Sequence, residues 1–164
     1  MSEGDKRPVV VLVCGERLRG DDGAALLAVE RLGGAALELA EILEVGQLSV
    51  EALMDVPDGV AIVLADTAVG VVVGDVVIVP LSGIARPSFV AAPASSHSLP
   101  PDQVLALAEE MRGSPLRGVF VGIGGEAFWF GEGLSPGVAA ALPAFTAAIA
   151  AEIIRLAAGA GDEG

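Results

Sequence analysis

Four short runs of aliphatic and β-branched residues constrain this chain more than any other feature: "VVVLVC" (9–14), "VAIVLAD" (60–66), "DVVIVPL" (75–81) and "GVFVGI" (118–123). Each is too short for a typical helix and too continuously apolar for a strand with one wet face. Each therefore predicts a strand, and the first two read as strands buried on both sides. Helical spacing fills the intervals. Residues 22–33 place Ala25, Leu26, Val29 and Leu32 on one stripe, with Gly33-Gly34 as a stop signal. Residues 48–55 suit a short helix, and 101–111 one opened by proline. Residues 135–159 suit a long helix beginning at Ser-Pro, with Pro143 expected to shift its start or kink it. Residues 37–45 fit either type, and their place in the order favours a strand. Residues 82–100, rich in serine and proline, read as loop.

Alternation of this kind predicts a single α/β domain over residues 1–164, a mostly parallel sheet covered by helices on both faces. The ends, 1–7 and 160–164, are expected to fray. Runs 9–14, 60–65 and 118–123 should lie adjacent or nearly so at the centre. Run 75–81 should lie at or near an edge, because Pro80 cannot donate a ladder hydrogen bond.

Composition narrows the function. A net charge of −13 repels phosphate backbones, so nucleic acid is not expected as a partner. The one cysteine, Cys14, excludes a disulfide framework and a cysteine zinc site, and reads as a small buried hydrophobe. The apolar run after the polar start is too short for a signal peptide. No uninterrupted apolar stretch is expected to span a bilayer, since 137–158 carries Pro143, Glu152 and Arg155. A soluble cytoplasmic protein with no membrane partner is the expectation.

In a sheet of this type ligands bind beyond the carboxyl ends of the strands. Asp21 and Asp22 follow the first strand there, and Asp66 ends another. A phosphate loop is a poor fit, because Asp21 and Asp22 stand where lysine and serine or threonine are required. No G-x-S-x-G elbow accompanies the serines around His97. What remains is two carboxylates and one imidazole on separate loops. Asp22, Asp66 and His97 could give O, O and N ligands to a divalent first-row metal. Each also has a plainer reading: a helix cap for Asp21 or Asp22, a strand terminator for Asp66, a solvated loop residue for His97.

Four segments in order resemble one family. "CGERLRGDDGAALLAVERL" resembles the opening motif of the hydrogenase maturation endopeptidases, a strand, G-N-x-L-x-x-D-[DE]-G and a helix. "VAIVLADTAVG" is similar to the family's second strand ending in aspartate. "SSHSLPPDQVLALAEEM" is similar to its Ser-x-His-x-Leu loop and the following helix. "VFVGIGGEAFWFGEGLSPGVAAALPAFTAAIAAEI" is similar to its closing strand, G-x-G-L-S-P signature and last helix. The resemblance implies a three-layer α/β/α fold with a twisted, mostly parallel sheet. It implies a cytoplasmic endopeptidase that removes the C-terminal extension of a nickel–iron hydrogenase large-subunit precursor once nickel is installed. Nickel would arrive with the substrate, and no organic cofactor is implied. Asp22, Asp66 and His97 would contact the metal, and no residue is singled out as the nucleophile.

Asp21 would hold the turn or cap the helix, so asparagine is expected to replace it with little loss. The sequence departs from the family pattern at Glu16, where asparagine is usual, at "LVCG", which breaks the usual G-x-G, and at "GGEAF", which lacks a proline. Two alternatives keep the same residues: a metal-sensing adaptor of this fold that does not cut, and a divergent α/β hydrolase with another substrate. An apolar pocket beside the three residues would favour the second.

Overall fold

The structure, a computed structural model, describes residues 7–84, 100–131 and 133–162. His97 and most of its loop lie outside the described residues, as do most of the ends expected to fray. The elements run β1 (Val9–Cys14), α1 (Ala24–Val29), α2 (Gly34–Leu39), β2 (Ala40–Gly46), α3 (Val50–Met54), β3 (Ala61–Ala68), β4 (Val76–Pro80), α4 (Leu81–Ile84), α5 (Pro101–Arg112), β5 (Gly118–Gly124) and α6 (Pro136–Asp162).

The five strands form one sheet in the order β2-β1-β3-β5-β4. The three apolar runs expected at the centre are consecutive there, β1, β3 and β5, all parallel. β4 is the antiparallel edge strand, with Pro80 as its last residue. Alternate residues of the central strands feed two cores. Val9, Val11, Val13, Ala61, Val63, Val121 and Ile123 pack under α1, α2 and α6. Val10, Leu12, Ile62, Leu64 and Phe120 pack with α3, α4 and α5. The layering is α/β/α, as the strand and helix alternation requires.

Several boundaries differ from the sequence reading. Residues 20–23 form a 3-10 turn before α1, and the α-helical part ends at Val29. The chain closes with short-range bonds from the Arg31 and Leu32 amides to the Ala28 and Val29 carbonyls. Gly33 then caps α2, so the glycine pair opens a second helix instead of ending a long first one. α2 takes the first three residues of the ambiguous segment, because Ala36 buries in the core that α6 covers, and β2 takes the rest. β3 runs through Asp66 to Ala68, since Asp66, Thr67 and Ala68 stay in register with Gly122, Ile123 and Gly124. A short helix, α4, follows β4 directly where loop was expected.

α6 begins at Pro136 and continues through Pro143 without interruption. By length and composition alone its residues Pro136–Gly159 are sufficient to cross a bilayer, contrary to the sequence expectation. Its periodicity gives it another role. Val138, Leu142, Phe145, Ile149, Ile153 and Leu156 recur at helical spacing and are all buried against the sheet and α1.

Phe145 has no exposed surface and sits midway along that row. Phe145→Ala should lower the unfolding free energy by about 3–5 kcal/mol, read from urea denaturation.

Candidate functional site

The turn after β1 is built around close backbone approaches. Gly15 has φ +120, and a Cβ there would lie 1.9 Å from the Asp22 carbonyl oxygen. No other residue fits, which lets the chain fold back at once so that Asp21 and Asp22 stand at the carboxyl edge of the sheet. The Gly15 amide donates to the Gly46 carbonyl at 2.6 Å, which ties the turn to β2.

The two neighbouring aspartates turn to opposite duties. Asp21 has no exposed surface. Its Oδ2 accepts from the Glu126 amide (2.9 Å), the Ala127 amide (3.0 Å) and the Ser135 hydroxyl (2.8 Å), and its Oδ1 accepts from the Ser135 amide (2.7 Å). Its own amide donates to the Ala127 carbonyl at 2.7 Å, and its carbonyl accepts from Thr67 Oγ1 at 2.7 Å. Burial pushes the carboxyl up. The donations from Glu126, Ser135 and Ala127 together outweigh it and hold the group below its ordinary value. No side-chain bond caps the helix of the aspartate pair itself. Asp21 instead binds the β5–α6 connection and the first turn of α6, where a negative charge suits the helix dipole.

Asp22 lies half-buried, and its Oδ2 accepts from the Glu16 amide at 3.0 Å. Burial raises its pKa, the Glu16 amide and the Arg19 charge oppose this, and the Glu16 carboxylate adds to it, leaving the group above its usual value. Asp66 shares the sheet face of Ile62 and Leu64. Its Oδ1 accepts from the Thr67 amide at 2.7 Å. Burial is the main cause that lifts Asp66 to about 8; the Thr67 amide opposes the shift and the charge of Asp22 adds to it. Val13 pairs with Ala65, so one step further Cys14 stands beside Asp66 on the same face. Cys14 is a free, buried thiol, as its place in the first strand suggested. Burial raises its pKa well above the ordinary value, and Asp66 and Asp22 raise it further.

The structure thus brings Asp22 and Asp66 within range of each other's charge at one sheet edge. The third expected metal contact, His97, lies outside the described residues. Among the described residues no group of three or more His, Cys, Asp or Glu is arranged to hold a metal ion. The donors that are present, two carboxyls that burial holds back from ionising, Asp66 further by the charge of Asp22, are of a type that a cation would relieve. A cavity of about 240 Å³ beside the turn is lined by Arg17, Gly20, Gly23, Leu27, Gly133 and Leu134, and includes neither aspartate.

Sequence reasoning missed the positioning residues Thr67, Gly125 and Ser135. Thr67 joins the two halves of the site, its amide on Asp66 and its hydroxyl on Asp21. A Cβ at Gly125 would lie 2.5 Å from Thr67 Cγ2 and 3.1 Å from Asp21 Cβ, so only glycine lets the two halves of the site close on each other. Only the Ser-Pro pair at 135–136 carried a signal, and it was read as a helix start.

No family model matches the sequence, and no curated protein does. Solved structures do. The chain superimposes on the [NiFe] hydrogenase maturation protease HybD from Thermococcus kodakarensis with TM-score 0.67 and 23% identity, covering 87% of this chain and 96% of that one. For the hydrogenase maturating endopeptidase HybD from E. coli the TM-score is 0.66 at 22% identity, over 88% and 90% of the two chains. For the maturation protease HycI from Thermococcus kodakarensis it is 0.61 at 24% identity, over 92% and 94%. The chain has the fold of the [NiFe] hydrogenase maturation proteases, the family that the sequence motifs resemble.

The network around Asp21 reverses the expectation that asparagine would serve there. An amide NH₂ would face groups that all donate. Asp21→Asn should lower stability by about 1–3 kcal/mol for each donor left unpaired, seen as a fall in melting temperature. Asp66→Asn should act in the opposite sense. The raised pKa means that the folded state holds a proton that the unfolded state has lost between pH 3.8 and about 8, so native stability falls as pH rises through that window. The variant should melt higher than the parent at pH 8, with the gain shrinking to nothing below pH 3.8.

Proposed function

We propose that this protein is an endopeptidase of the hydrogenase maturation type, acting in the cytoplasm on a nickel-loaded hydrogenase large-subunit precursor and removing its C-terminal extension. One observation carries the reading: Asp22 and Asp66 stand together at the carboxyl edge of the sheet, each carboxyl raised by burial, on a fold shared with proteins titled as hydrogenase maturation proteases. His97 completes the set by the resemblance of its Ser-x-His-x-Leu segment.

Nickel belongs to the substrate in this scheme. The chain's own residues test for it. An unloaded precursor would bring its backbone towards two carboxyls that already disfavour each other's charge. A loaded one brings the cation that lets both ionise, so binding is strongest when the metal is in place. Asp22 is held for this task by the Glu16 amide, and Asp66 by the Thr67 amide. Asp21 takes no part in recognition and fixes the turn that presents Asp22.

Incubation of the protein with purified nickel-loaded precursor, followed by intact-mass measurement, tests the proposal. The parent should trim the precursor. His97→Ala and Asp22→Asn should trim it at least about 100-fold more slowly, since even the outer-shell partners of a metal ligand cost about 10–100-fold when removed, with melting temperatures near the parent's. Trimming by the His97 variant at the parental rate would overturn the metal-recognition reading.

A further inference from the structure

Of three consecutive aromatic residues after β5, one turns in and two turn out. Phe128 packs inward, its ring 3.1 Å from the position of a Cβ on Gly125. Trp129 is 71% exposed and Phe130 84%. Leu18, 49% exposed, stands next to them, because the Gly131 amide donates to the Leu18 carbonyl at 2.6 Å and the Gly20 amide to the Gly131 carbonyl at 3.0 Å. Exposed aliphatic residues are common singly. A tryptophan, a phenylalanine and a leucine gathered on one rim are not.

The backbone that carries these side chains is fixed on both sides of them. The loop that carries them is pinned at Glu126, Ala127 and Ser135 by Asp21 and at Gly131 by the β1–α1 turn. Aromatic residues presented on a fixed backbone are the usual anchors of a protein interface, since less entropy remains to be lost on docking. Leu18 lies on the β1–α1 connection that carries Asp22, and Trp129 and Phe130 lie on the β5–α6 connection that Asp21 binds, so the rim adjoins the loops of the candidate site.

Charge decides the occupant. Exposed Glu16 and Glu126 flank the loops, Arg17 is engaged by Glu30, and Arg19 lies within the field of Asp22. A second copy of a chain with net charge −13 would bring like charge to this rim. We infer that Leu18, Trp129 and Phe130 form a docking surface for the folded precursor itself, seating in an apolar hollow bordered by basic side chains next to the extension that is cut. This rests on the function proposed above and adds the surface by which the substrate is held.

The test compares the parent with a Trp129→Ala/Phe130→Ala variant, both full-length, against purified nickel-loaded precursor. Both positions are exposed, so the melting temperature should be unchanged. Affinity measured by titration calorimetry should fall at least about tenfold, with KM for trimming raised and kcat kept. Glu126→Lys should also weaken binding, and an unchanged affinity there would overturn the basic border. Equal affinity of parent and double variant would overturn the docking surface while leaving the protease reading intact. Sedimentation showing a parental dimer that the double variant loses would assign the patch to a second copy and overturn the inference. A parent that neither binds nor trims the precursor would overturn the proposed function, and this surface with it.

Discussion

A carboxylate stripped of all contact with water persists in a folded chain only if protein donors replace the solvent it gave up. Asp21 receives four such donations, and every one comes from the connection between β5 and α6. The first loop of the chain and the last are therefore one unit. Everything at the carboxyl edge is placed by it: the direction in which Asp22 leaves the turn, the seat of Thr67 against Asp66, the angle at which α6 enters the core, and the outward face of Trp129 and Phe130. The opening pair of aspartates is two devices side by side, one satisfied and structural, the other left partly unsatisfied.

That contrast separates scaffold from site on physical grounds. Hydrogen bonds draw Asp21 below its ordinary pKa in spite of burial, and so it supports the fold as an anion. Asp22 and Asp66 are shifted the other way, Asp66 strongly, by burial that few donors offset. Groups that resist the charge they would carry at neutral pH are kept for a task that stability does not explain. In the proposed function, the cation carried by the substrate is what would turn this resistance into affinity.

The strands were legible because burial on both faces leaves no choice of residue. "VVVLVC", "VAIVLAD" and "GVFVGI" could be placed at the centre, and Pro80 placed its strand at the edge. Helices near the amino terminus were misjudged because tertiary contacts chose their limits: the 3-10 turn at Gly20–Gly23 follows from the Asp21 network, and α2 from packing under α6. Asp22 and Asp66 were found because strand ends in a parallel sheet converge. Thr67, Gly125 and Ser135 were not, since their importance lies in whom they meet. The Asp21–Ser135 pair is separated by 114 residues, and no local pattern announces such a meeting. Of the two roles read for Asp21, holding the turn agrees with the structure and capping the adjacent helix does not: the sequence offers the nearest helix as its partner, and the fold supplies a distant one.

The same separation governs when the protein becomes complete during folding. Bonds across 114 residues close only after the intervening chain has been ordered, since each long loop must give up its freedom before the contact returns anything. β1 can pair with β2 early, and the central strands can assemble behind it, while the aspartate turn still lacks its donors. Only the arrival of β5 and the seating of α6 finish it. A half-folded copy emerging from the ribosome thus has no finished carboxyl edge until its own last helix is home.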